Sequence, residues 1–206
     1  IQKTTPWETY EKELQEDERF ENGIKQLKEA HRLFAKCPFN KLTDDERKYL
    51  TGTIGKNKRD AIRKTAGIDW YMFGTLSQGK MKTHINNNNK KINDALEAIP
   101  LKGDITPRMY KKYLKKLRSI EGLGVGTAVC SRLLAMTRPD FFMSLNKQST
   151  PVISKKYGIP KSKLTADTYW DLIMKIHEDE WYLHPKNAAV KPYRVALLDC
   201  LIREWK

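Results

Sequence analysis

Apolar residues recur three and four positions apart along most of this chain, the spacing that lines one face of an α-helix. The pattern predicts helices from Trp7 to Phe20 and from Ile24 to Phe34, with Gly23 as the break between them. Thr43-Asp44-Asp45-Glu46 reads as a capping box, in which the threonine hydroxyl accepts from the third helical N–H and Glu46 reaches back. A basic stretch from Lys56 to Lys64 stops at Gly67, and the aromatic cluster Trp70-Tyr71-Met72-Phe73-Gly74 follows. Asn86 to Asn89 predict a turn and an N-cap for the helix carrying Ile92, Ala95, Leu96 and Ile99. Thr106-Pro107 opens a helix from Arg108 to Ile120, with threonine as cap and proline at the first helical position. Thr165 starts a further helix through Tyr169, Leu172, Ile173 and Ile176. Trp181 to Pro185 read as a loop, and Val195 to Trp205 as a terminal helix.

No segment sustains a period-two alternation of β-branched residues, no Asn-Gly or Asp-Gly hairpin joins two such runs, and there is no internal repeat. The expected fold is therefore all-α, about eight to ten helices, in a single helical unit over residues 1–206. A length of 206 residues suits one large domain or two small ones sharing a core. No window approaches the roughly 18 uninterrupted apolar residues of a membrane-spanning helix. The start, Ile-Gln-Lys-Thr-Thr-Pro, has no signal pattern and no initiator methionine, which suits a fragment of a longer protein or a processed end. Cys37, Cys130 and Cys200 are too few and too scattered for a disulfide framework, and His31, His84, His177 and His184 sit at no metal-ligand spacing. A reducing, cytoplasmic setting is expected, without a metal site.

Charge sharpens this picture. Lysine and arginine total 39 against 25 acids, a formal net charge of +14, yet the first 30 residues carry eight acids and five bases. That segment is net −3, so the remainder carries +17. Such a field favours a polyanion, and each phosphate neutralised releases counterions. The plainer reading is a basic surface that only keeps the protein dispersed.

The densest information lies between Ile120 and Ser149. A basic helix carrying Lys111, Lys112, Lys115, Lys116 and Arg118 runs into Gly122-Leu123-Gly124-Val125-Gly126, and an apolar helix begins at once at Thr127. Alternate glycines let the backbone turn sharply and approach a partner closely. The first N–H groups of the second helix lack internal partners and carry the positive end of its dipole, which suits a phosphate. A tight turn with no ligand is the competing reading.

This stretch resembles the helix-hairpin-helix motif, whose hairpin usually reads Leu-Pro-Gly-Val-Gly; Gly122 and Leu123 replace the Leu-Pro, while Gly124, Val125 and Gly126 match. The spacing beyond it is similar to the helix-hairpin-helix DNA glycosylase superfamily, which includes endonuclease III and the 8-oxoguanine glycosylases. The resemblance implies a multi-helix architecture with a cleft between two helical lobes and the motif over residues 106–137. It implies contacts to double-stranded DNA from Gly122, Gly124, Val125, Gly126 and Thr127, aided by Lys112, Lys115, Lys116 and Arg118. A monovalent cation at the hairpin belongs to the same expectation, as does a parent or partner nuclease or ATPase chain. Two departures stand out: the position of the family's catalytic aspartate holds Asn146, and that of its Schiff-base lysine holds Ala128.

An amide keeps the shape of a carboxylate but offers neither charge nor proton affinity. Asn146 then reads as an N-cap for a helix from Lys147 to Tyr157, as a donor and acceptor to a base edge, or as part of a site using Lys147, Asp140 or Asp199 instead. Asp140 in Arg138-Pro139-Asp140 more simply makes an Asx turn. Asp199, among apolar neighbours, is expected to be buried and either paired with Arg194 or Arg203 or raised in pKa. Trp70, Tyr71, Phe73 and Trp181 are candidates for stacking on a flipped base, with core packing as the alternative. Lys80, Lys82 and His84 suit a solvated face or backbone phosphates, and His184 an exposed position. Three functions stay open: a DNA-binding reader of a modified or flipped base, as in repair, restriction or phage defence; an active glycosylase or glycosylase/lyase with a relocated catalytic residue; and a protein-interaction module.

Overall fold

The amphipathic segments fold into helices that wrap one central apolar helix. The computed structural model describes residues 5–76, 79–184 and 190–203, and all regular structure among them is helical. Helices α1 (Trp7–Glu16) and α2 (Phe20–Lys36) are followed by α3 (Asp44–Thr51), α4 (Lys56–Ala66), α5 (Met81–Asn87) and α6 (Asn89–Leu96). Then come α7 (Pro107–Arg118), α8 (Thr127–Thr137), α9 (Ser149–Tyr157), α10 (Tyr169–His177) and the single turn α11 (Glu180–Leu183). Short 3-10 turns lie at Phe39–Lys41, Lys161–Lys163 and Lys191–Tyr193, and a longer 3-10 helix at Ala196–Arg203. The described residues thus hold eleven α-helices, one more than the upper expectation.

Helix α8 is the core. Every residue from Cys130 to Thr137 is buried, the polar Ser131, Arg132 and Thr137 included. Helix α2 packs on α8 and on the Ala196–Arg203 helix, α3 on α5 and α8, and α6 bridges α7 and α8.

Local signals at several helix starts hold. Thr43 and Glu46 form the reciprocal capping box of α3, Thr106 accepts from the Met109 N–H ahead of Pro107, and Gly67 closes α4 at φ 64°. Others fall to tertiary packing. Gly23 is no break: it lies inside α2, and the chain turns at Asp17 to Arg19 instead. A Cβ at Gly23 would lie 3.3 Å from both Cys200 Sγ and the Phe73 ring, so glycine there permits close approach. The Asn86–Asn89 run does turn the chain, but among the described residues the Asn88 side chain makes no cap hydrogen bond; its amide lies 2.8 Å from His84 Nδ1. Helix α7 ends at Arg118, two residues before Ile120. Helix α10 begins at Tyr169 rather than Thr165, whose own N–H donates to Thr168 Oγ1. Trp181 sits in α11, not a loop, while Pro185 lies outside the described residues. The terminal helix is 3-10 rather than α, and its expected end at Trp205 lies outside the described residues. Among the described residues no helix is long and apolar enough to cross a membrane.

Candidate functional site

The turn between α7 and α8 is built by burying one residue and exposing its neighbours. Tyr110, Tyr113, Leu114 and Leu117 seat α7 on the core, and Leu123 anchors the turn itself. Gly122 and Gly124 take φ of 77° and 66°, a left-handed conformation that L side chains resist. Gly126 is extended and precedes α8, which among the described residues has no side-chain cap. A Cβ at Gly124 or Gly126 would meet nothing within 4 Å, so this edge of the turn opens outward. The first N–H groups of the 11-residue helix α8 lack intrahelical partners and carry the positive end of its dipole at this edge of the turn.

The basic residues expected here divide. Lys112 and Lys115 are exposed on α7. Lys116 donates to the Asp94 carbonyl at 2.8 Å, and Arg118 makes a bidentate pair with Asp167 at 2.7 and 2.8 Å. Thr127 turns its hydroxyl to the Leu164 carbonyl at 2.9 Å. Val125 is half-buried and Ala128 exposed. His84, on α5, adds a contact: its Nε2 would lie 3.6 Å from a Cβ at Gly122. Met81 beside it is buried, while Lys80 and Lys82 are exposed.

A second feature gathers residues far apart in sequence. A pocket of about 440 Å³ is lined by Asn146, Lys147, Asp199, Tyr71, Arg59 and Arg19, among others. Asn146 does cap the next helix: its Oδ1 accepts from the N–H groups of Gln148 (2.8 Å) and Ser149 (3.0 Å), although the regular helix starts at Ser149 rather than Lys147. Those two donors fix the orientation of the amide, and its Nδ2 donates to Asp199 Oδ1 at 3.1 Å. Asp199 is 5% exposed. Burial lifts its pKa to about 6, against the opposing pull of Arg19, the Asn146 hydrogen bond and Arg132. The expected partners differ: Arg194 instead lies over the Tyr182 ring and donates to the Tyr182 carbonyl, and the Arg203 side chain lies outside the described residues. Lys147 is exposed at the pocket. Asp140 is elsewhere, in a bidentate pair with Arg138 at 2.8 Å that replaces the expected Asx turn.

The opposite wall, residues 69–75, is held by a buried arginine. Arg132 projects from α8 and donates to the carbonyls of Leu50 (2.9 Å), Trp70 (3.1 Å), Met72 and Gly74 (2.6 Å). Burial lowers its pKa to about 9, so it stays charged at neutral pH. These bonds hold Phe73 at φ 64° with its ring buried, and Gly74 at φ 78° against Asn146. A Cβ at Gly74 would lie 2.7 Å from that of Asn146. Arg59 pairs with Asp69 at 2.6 and 2.7 Å and covers the Tyr71 ring at 4.3 Å. The Arg59 hydrogen bonds and the Tyr71 N–H outweigh burial and keep Asp69 below the usual carboxylate range.

Of the four stacking candidates, Trp70, Phe73 and Trp181 are buried in the core, and Trp181 stacks on Tyr10 at 4.2 Å. Tyr71 and the buried Phe73 both line the pocket, but of the four only Tyr71 is half-exposed. His184, also expected exposed, lies 6.0 Å from Trp7 in a stacked pair. Sequence reasoning missed Arg19, Arg59, Asp69 and Arg132; a charged residue inside the apolar run of α8 was the one available signal, at Arg132. No protein-family model, curated protein or solved structure matches the chain.

Proposed function

We propose that this chain binds DNA, gripping backbone phosphate with the glycine turn as a helix-hairpin-helix and admitting a base to the Asn146–Asp199 pocket. The observation that carries the reading is the uncapped start of α8, which opens outward past Gly124 and Gly126 and follows a helix with Lys112 and Lys115 exposed. Backbone N–H groups at a helix start are a ready anion site, and a body carrying +17 supplies the field that brings a polyanion to it.

The test uses Gly126→Val. Gly126 has an ordinary extended φ and open space beyond it, so the fold tolerates a side chain that still blocks phosphate approach. Duplex affinity is expected to fall at least tenfold with unchanged circular dichroism, and the parent protein is expected to show a log–log salt slope near −0.9 per phosphate contact. Equal affinity for parent and variant refutes the hairpin's role and favours a protein-interaction turn.

A second reading rests on the Asn146–Asp199 contact. The buried carboxylate lies beside the position where the glycosylase superfamily places its own, as a relocated catalytic group would. Incubation with duplexes carrying uracil, 8-oxoguanine or alkylated bases, followed by hot alkali, separates the two. Strand breaks lost in Asp199→Asn or Lys147→Ala support excision; binding without breaks supports a reader.

A further inference from the structure

The pocket's polar groups are not equally available. Asn146 spends its carbonyl on two backbone N–H groups and one N–H on Asp199. Asp69 takes two hydrogen bonds from Arg59 and one from the Tyr71 N–H. Arg19 is turned to Asp17, at 3.2 Å from both carboxylate oxygens, and to the Cys200 carbonyl. The Tyr71 hydroxyl donates to the Ile54 carbonyl at 2.7 Å. Asp199 is different. A carboxylate offers about four lone-pair sites, yet among the described residues its hydrogen-bond donor is the Asn146 amide alone, with Arg19 and Arg132 acting on it through charge. A buried carboxylate with spare acceptor capacity is costly unless something else donates to it.

We infer that the pocket selects a nucleobase carrying an exocyclic amino group, with the Asp199 carboxylate as acceptor and Asn146 as the residue that positions it. This rests on the DNA-binding reading above and gives its base site a chemistry. An amino group places N–H donors where Asp199 accepts, as carboxylates do with the cytosine amine. A base with a carbonyl at that place, such as uracil or hypoxanthine, sets two acceptors against each other and leaves both unpaired. Excluding carbonyl-edged bases suits a reader of intact or modified amino bases rather than a remover of deaminated ones. Lys147, exposed at the pocket, adds positive charge suited to an adjoining phosphate.

The experiment measures binding of the full chain to short duplexes with one unpaired nucleotide, in pairs that exchange an amino group for a carbonyl: cytosine against uracil, and adenine against hypoxanthine. At about pH 8 the amino member of each pair is expected to bind about tenfold tighter, the size of one charge-assisted hydrogen bond. In Asp199→Asn that ratio is expected to collapse to about twofold or less, because an amide can present a donor as readily as an acceptor. Should that variant fail to fold, the parent protein serves at about pH 5, where Asp199, facing Arg19, Arg132 and Asp17, takes a proton and the same ratio should shrink. Equal binding of all pairs at about pH 8, or a preference for uracil and hypoxanthine, overturns this inference and leaves DNA binding standing. Failure to bind any duplex, fully paired ones included, at low salt overturns the reading beneath it.

Discussion

Arg132 shows how a single side chain shapes the pocket from beneath. Its guanidinium satisfies four carbonyls from two segments and holds the 69–75 wall in a conformation that includes a left-handed Phe73. Replacing it with methionine keeps much of the volume but leaves those carbonyls buried without donors. Arg132→Met is expected to cost about 3–5 kcal/mol in urea unfolding, and Arg132→Lys to recover only part, since an ammonium lacks the planar fork. Gly74→Ala should cost about 1–3 kcal/mol, because φ 78° and the nearby Asn146 Cβ both resist a methyl group. Neither role could be read from sequence. Arginine within the apolar run of α8 gives no hint of carbonyls that reach it from up to 82 positions away. The capping role of Asn146 and the burial of Asp199 were legible, because residue type and an apolar neighbourhood announce them locally; which of Lys147, Asp140 and Asp199 meets Asn146, at 3.1 Å across 53 residues, was not.

Among the elements, α7 and the turn after it carry the most local information. Thr106, Pro107, the buried tyrosine and leucine stripe and the glycines that follow all agree, so start, face and turn were predictable from pattern alone. Thr106→Ala is expected to cost about 1 kcal/mol, read as a shift in the urea midpoint, through loss of the bond from the Met109 N–H. The elements that escaped prediction are those shaped by neighbours. Gly23 stays helical because Phe73 and Cys200 need its missing side chain. The 3-10 helix at Ala196–Arg203 packs against α1, α2 and α9 together. Trp181 joins the core through Tyr10 rather than meeting a ligand. Aromatic composition alone cannot separate a stacking platform from a core, and three of the four candidates here are core.

At the scale of the whole molecule, two groups withdrawn from water pull stability in opposite directions with pH. Asp199, ordinarily near 3.8, titrates at about 6 in the fold. As pH rises from about 4 to about 6 the unfolded chain ionises first, so stability falls by roughly 3 kcal/mol and stays lower above that window. His177 is half-buried between Phe141 and Tyr182 with Nε2 at 3.0 Å from the Phe141 carbonyl, and that partial burial lowers its pKa from 6.5 to about 4. As pH falls from about 6.5 to about 4 the unfolded chain takes the proton first, so here stability is lost on acidification, again by roughly 3 kcal/mol. Between about pH 4 and 6 the two contributions offset each other, and the parent protein is expected to change little from these groups. Asp199→Asn removes one side of the balance: its stability relative to the parent should rise by roughly 3 kcal/mol from pH 4 to 6 and then hold level. His177→Gln should show the mirror behaviour, gaining on the parent as pH falls below about 6.5. Urea titrations across that range decide the matter, and a pH-independent difference between Asp199→Asn and the parent would show that Asp199 carries no such burden in the fold.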